Sequence, residues 1–155
     1  MFGRKKKGPA ATASPIFLEA YSRAYTLYKR CNACAEAGMI DASAFYMRKT
    51  LEVIATSFID EYERLGAGQP FVDFCLKRGH LGPKGTIAPT LDDKVDFLLA
   101  QKNIPAESEK AYDAIRKYGN AAVHEPAFEE NAKKNAQMMK LLEKELIEFY
   151  RMAQQ

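Results

Sequence analysis

From Met47 to Leu65 an apolar side chain recurs at every fourth or third position: Met47, Leu51, Ile54, Phe58, Tyr62 and Leu65. That spacing matches the turn of an α-helix and draws one apolar stripe down one side of it. A segment built this way must bury its stripe against other elements, and the rest of the chain repeats the pattern. Phe17, Tyr21, Ala24, Tyr28, Cys31 and Ala35 form a second seam. It opens on Ser14-Pro15, a capping residue followed by proline at the first helical position, and ends near Gly38. Asp41 is the expected cap of the helix that carries the first seam, and Gly66 and Gly68 are its expected stop.

Residues 66–90 hold several Gly and Pro, and a structureless loop of that length is uncommon in a compact domain. The cluster Phe71, Val72, Phe74, Cys75 and Leu76 predicts a short helix within it. Thr90 is placed to cap a further helix carrying Leu91, Val95, Leu98 and Leu99. Beyond Asn103-Ile104-Pro105 another begins, with Ala111, Ile115, Tyr118 and Ala122 on its seam. Pro126 disfavours helix at Glu125 and sets a boundary there. The last helix is expected from about Ala127 to Met152, with Phe128, Met138, Leu142, Leu146 and Phe149 inward. No sustained period of two occurs anywhere. The predicted fold is all-α, an up-and-down bundle of four to five helices.

With 155 residues, 47% of them apolar, the chain has material for one core. No apolar run is long enough to cross a bilayer, so no membrane association is expected. The basic start, MFGRKKKGPAATASP, lacks the hydrophobic stretch of a secretory signal. Three cysteines argue for a reducing compartment, and a cytoplasmic location is expected. Arg4, Lys5, Lys6 and Lys7 carry four positive charges of a chain whose net is +3, which leaves residues 8–155 at −1. The basic signal is therefore a tail. Residues 1–13 read as a disordered, solvated segment, with weak phosphate contact as the alternative, and residues 14–155 as a single helical domain.

Several residue groups could carry chemistry. Cys31 and Cys34 form a CxxC that Cys75 and His80 could complete as a zinc site, but zinc knuckles are turns and this CxxC lies mid-helix. A small buried hydrophobe is the favoured reading of Cys31. Tyr21, Tyr25 and Tyr28 recur at helical spacing, which fits core and interface packing better than base stacking. Lys77, Arg78, His80 and Lys84 sit in a Gly-rich stretch without the spacing of a phosphate-binding loop, and read as solvated. Arg48 and Glu52 form an i, i+4 pair, worth a few tenths of a kcal/mol if exposed. If Arg48 faces the interior instead, it becomes a fixed cation beside whatever site lies there.

The stretch "IRKYGNAAVHE" is the most suggestive. Steps of four advance about 40° around a helix, so Arg116, Asn120 and His124 share one face. Gly119 costs roughly 1 kcal/mol relative to Ala in a helix interior, which points to a close approach by another helix. His suits proton transfer near neutrality and Arg can grip a phosphate with two donors. The three together could cleave RNA. The simpler reading is a polar helix end, with His124 capping carbonyls.

"FYMRKTLEVIATSF" and "LDDKVDFLLAQKNIPAESEKAYDAIRKYGNAAVHEP" together resemble a domain-of-unknown-function family of the HEPN superfamily (higher eukaryotes and prokaryotes nucleotide-binding), a type also found fused to type I restriction subunits. The resemblance covers residues 45–126 and rests on Arg48-Lys49-Thr50-Leu51-Glu52, on Leu91–Leu98 and on Arg116–His124. It implies a HEPN-like bundle, commonly dimeric, tied to defence systems, mobile elements or RNA processing. Active members are metal-independent ribonucleases with an Arg followed by His after four to six residues. Here seven residues separate Arg116 from His124, and Gly119 rather than Arg precedes Asn120. The expectation is therefore a non-catalytic, dimeric module. It would bind nucleic acid, a nucleotide or a partner protein through Arg48, Arg116, Asn120 and His124, with no cofactor or metal. The alternatives are a ribonuclease using Arg116, Asn120 and His124, and a purely structural scaffold.

Overall fold

The structure, a computed structural model, describes residues 15–66, 70–79, 89–101 and 104–154. The expected tail, the Ser14 cap, Gly68, His80 and Lys84 lie outside the described residues. Those residues form six helices: α1 (Pro15–Glu36), α2 (Ile40–Arg64), α3 (Phe71–Lys77), α4 (Leu91–Gln101), α5 (Ala106–His124) and α6 (Ala132–Ala153). No strand occurs among them, as the periodicity predicts, but the helix count exceeds the expected four to five.

Three boundaries follow from local chemistry. The α1–α2 turn closes on Gly38 at φ +78°, where its N–H bonds Ala35 O and that of Met39 bonds Cys34 O. A residue in the left-handed region satisfies the last carbonyls of α1, and glycine takes that conformation without strain. Thr90 caps α4 reciprocally: its Oγ1 accepts from Asp93 N, and Asp93 Oδ2 accepts from Thr90 N. Glu125 ends α5 in extended conformation, as Pro126 requires.

Two expected starts move. Helix α2 begins before Asp41, whose carboxylate bonds the neighbouring Ala42 N–H rather than capping the helix. Helix α6 begins at Ala132 instead of Ala127, because the Asn131 side chain accepts from Lys134 N and makes the cap there.

Helix α2 is the hub. It packs against α1, α4, α5 and α6, and twelve of its residues are buried. One aromatic cluster joins its Phe58 to Phe17 of α1 and Phe149 of α6, with ring centroids 5.3–6.0 Å apart. A second gathers Tyr62, Phe71 and Phe74 around Phe97. The first α2 seam is buried through Tyr62, while Leu65 is exposed past the last turn.

The helix directions depart from the expected up-and-down order at one step. Glu52 of α2 meets Lys94 of α4, and Tyr62 meets Phe97 and Gln101, so these two helices run the same way. Helix α5 runs opposite to α4, since Arg116 meets Asp96 and Asn120 meets Asp92. Helix α6 runs opposite to α5, with Tyr118 on Asn135 and Glu107 on Lys144.

Two buried polar features tie the bundle together. Tyr118 Oη donates to Asn135 Oδ1 at 2.8 Å, Asn135 Nδ2 donates to Ser43 Oγ at 2.9 Å, and Cys31 Sγ lies 3.2 Å from Ser43 Oγ. Four helices thus share one satisfied network, which a buried Asn requires. Burial pushes the Cys31 thiol up to about 11, so it stays protonated among its apolar neighbours. Cys34 is only half-buried. The reading of Cys31 as a small hydrophobe fits this setting. Near the other end of α6, Glu145 is buried close to Ser108 and Tyr112.

Burial raises the Glu145 carboxyl above its ordinary value, against the opposing hydrogen bond from Ser108. A folded-state pKa above the unfolded one means the native state holds more protons over that interval. The associated stability is present below the ordinary carboxylate range and lost as pH rises through the raised folded value. Glu145→Gln keeps the shape without the charge. It should raise the melting temperature near neutral pH and lose that advantage at about pH 4, measured by circular-dichroism melts. At the α2–α5 crossing, a Cβ on Gly119 would stand 2.9 Å from Arg48 Cβ and 3.4 Å from Ala44 O. Gly119→Ala should therefore destabilise by about 1–3 kcal/mol in urea denaturation, despite alanine's better helix propensity.

Candidate functional site

The close approach at Gly119 sets Arg48 of α2 against the exposed flank of α5. Arg48 Nε donates to Asn120 Oδ1 at 2.9 Å. Asn120 Nδ2 donates in turn to Asp92 Oδ1 of α4, also at 2.9 Å. Arg48 thus has a partner across the bundle instead of Glu52 one turn along its own helix. Glu52 lies 3.2 Å from Lys94 and 4.0 Å from Lys49.

Arg116 stands one turn before Asn120, and its side chain is only 12% exposed. All three of its nitrogens face carboxylates. Nη1 bonds Asp96 at 2.5 Å, Nη2 bonds Asp113, and Nε lies 3.7 Å from Asp92. Burial alone would lower the guanidinium pKa, but the hydrogen bonds to Asp96 and Asp113 outweigh it and raise it. The pairing works in the other direction on Asp113, whose carboxyl falls below its ordinary value through Lys117 first and Arg116 second. Arg78, just past α3, extends the chain of charges. It bonds Asp96 at 2.8 Å, lies 3.3 Å from Asp93 and covers the Phe74 ring.

Arg78, Asp92, Asp96, Arg116, Asn120 and His124 share the wall of an open depression of about 620 Å³. The shared face expected of Arg116, Asn120 and His124 is therefore present. The expected capping role of His124 is not. His124 is exposed and its side chain makes no hydrogen bond with any described residue, and the helix end is closed by Glu125 N on Ala121 O.

The sequence reading missed Asp92, Asp96 and Asp113. A signal existed. Asp92 and Asp96 are one turn apart on α4, and Asp113 precedes Arg116 and Lys117 at i, i+3 and i, i+4. The antiparallel α4–α5 pairing that makes these groups converge was not legible.

No group of three or more His, Cys, Asp or Glu among the described residues is arranged to hold a metal ion. No helix among them is long and apolar enough to cross a membrane.

An all-helical bundle with a charged crossing of α2, α4 and α5 is the class of protein these features define. Residues 76–155, just over half of the chain, match the family described as Domain of unknown function (DUF4145), and the chain belongs to that family. No curated protein and no solved structure matches it.

Arg116 holds three carboxylates that would otherwise face one another, so Arg116→Ala should cost about 1–3 kcal/mol near neutral pH. That figure is less than a fully buried pair would give, because the Asp side chains are 33–49% exposed. Asp113 has a folded-state pKa below its unfolded one. Its contribution is complete above the ordinary carboxylate range and lost as pH falls through the folded value. The difference between wild type and Arg116→Ala in urea denaturation should accordingly shrink in acid.

Proposed function

We propose that this chain is a HEPN-like, non-catalytic and dimeric module. It binds a nucleic acid, a nucleotide or a partner protein at the α2–α5 crossing, in a defence or mobile-element setting. The observation that carries the non-catalytic part is the engagement of Arg116 by Asp92, Asp96 and Asp113. Metal-independent cleavage of RNA needs a cation free to meet the developing charge on phosphorus. A guanidinium with every nitrogen facing a carboxylate must first break those pairs, and the same carboxylates repel an entering phosphate. The HEPN assignment rests on the Arg48–Glu52 and Arg116–His124 motifs, and the long Arg116–His124 spacing agrees with lost catalysis.

One observation favours the ribonuclease reading. His124 is exposed and without a partner among the described residues, on the same depression as Arg116. In that reading His124 is the general acid and base, and Arg116 exchanges a carboxylate for phosphate.

Purified protein, incubated with unstructured single-stranded RNA and excess EDTA, separates the two. The expected result is no cleavage by wild type or His124→Ala. Cleavage by wild type that His124→Ala abolishes would make the depression an active site and end the non-catalytic reading.

A further inference from the structure

Sequence reasoning assigns the anion-gripping role on this face to Arg116. The hydrogen bonding leaves a different arginine available. Arg48 uses Nε on Asn120, and no described residue accepts from its two Nη groups. Its stem is fixed by the Gly119 crossing, and its head is oriented by Asn120, itself bonded to Asp92. A guanidinium held at Nε, with no described residue on its outer edge, is preorganised to take an oxyanion with two parallel N–H bonds.

We propose that Arg48 is the anion-recognition residue of the module, that Asn120 is its positioning residue, and that its ligand is a carboxylate side chain of a protein partner. This rests on the binding-module reading above and specifies its ligand. Three features of the surroundings favour a single carboxylate over a polyanionic strand. Asp92 lies one hydrogen bond beyond Asn120, and Glu52 is held close by through Lys94, so successive phosphates would meet carboxylates. Phe45, one turn before Lys49 on α2, is 37% exposed, and Val123, one turn after Gly119 on α5, is 41% exposed. The Lys49 amine stands 5.6 Å over the Phe45 ring and adds a second cation beside Arg48. An Arg on two crossing helices that also expose an aromatic and an aliphatic side chain has the composition of a protein-binding centre.

The test follows the arginine Nε–Hε signals by NMR during titration of the full chain. The probes are acetyl-Gly-Leu-Glu-Leu-Gly-amide, the same peptide with Gln for Glu, and a short uridylate RNA. The Glu peptide should shift the Arg48 signal saturably, and the Gln peptide should not. Arg48→Lys, which keeps the stem and charge but loses the fork, should weaken binding about tenfold. Arg48→Gln should abolish it, and wild-type melting behaviour in either variant establishes that the fold is intact. A shift of Arg48 by RNA and not by the peptide would overturn the protein partner. Shifts confined to Arg78 and Arg116, the arginines on the wall of the depression, would overturn the role of Arg48 and leave the module standing. Silence across the whole spectrum would count against both.

Discussion

The crossing of α5 over α2 at Gly119 governs what the polar face of this bundle can do. Only a residue without Cβ lets the α5 backbone come this close to Arg48 and Ala44. The approach costs helix propensity, and in return it delivers the Arg48 head to Asn120 across the crossing. Asn120 reaches Asp92, so three helices are joined by two hydrogen bonds of 2.9 Å. A wider crossing would part Arg48 from Asn120.

Charge pairing then divides the arginines into two kinds. Arg78 and Arg116 are consumed by the aspartates of α4 and α5, and they fasten α3, α4 and α5 together. Among the described residues Arg48 is held by one neutral amide, and none of them takes its outer edge. A residue's type and its place on a shared face therefore do not fix its role. The number of opposite charges in reach decides between holding the fold and holding a ligand.

Much of the architecture was legible because it depends on local pattern. The seams through Phe17–Ala35 and Met47–Tyr62, the Thr90 cap and the stop at Pro126 are each written within a few neighbouring residues. The start of α6 was misread because Asn131 and Ala127 are both plausible by periodicity, and only the side-chain bond to Lys134 N decides. The grouping of Arg116, Asn120 and His124 followed from helix geometry alone. Asp92 and Asp96 beside Arg116 did not, because they come from another helix whose direction depends on the path between α2 and α4. Gly119 shows the middle case: its presence in a helix signalled a close neighbour, and only the fold identified that neighbour as Arg48.

The parallel course of α2 and α4 has a consequence for what counts as the folding unit. Antiparallel neighbours can close on one another through a short turn, as α1 and α2 do. Parallel ones must wait for the chain to return along the length of the bundle. The family match begins near the end of α3 and takes in α4, α5 and α6, yet the apolar sides of α4 and α5 close on α2, which precedes it. A fragment cut to the matched residues would carry the buried Leu98, Tyr112 and Ile115 without α2, the helix on which α4 and α5 pack. The segment that sequence comparison marks out is thus one wall of a structure whose foundation lies upstream of it.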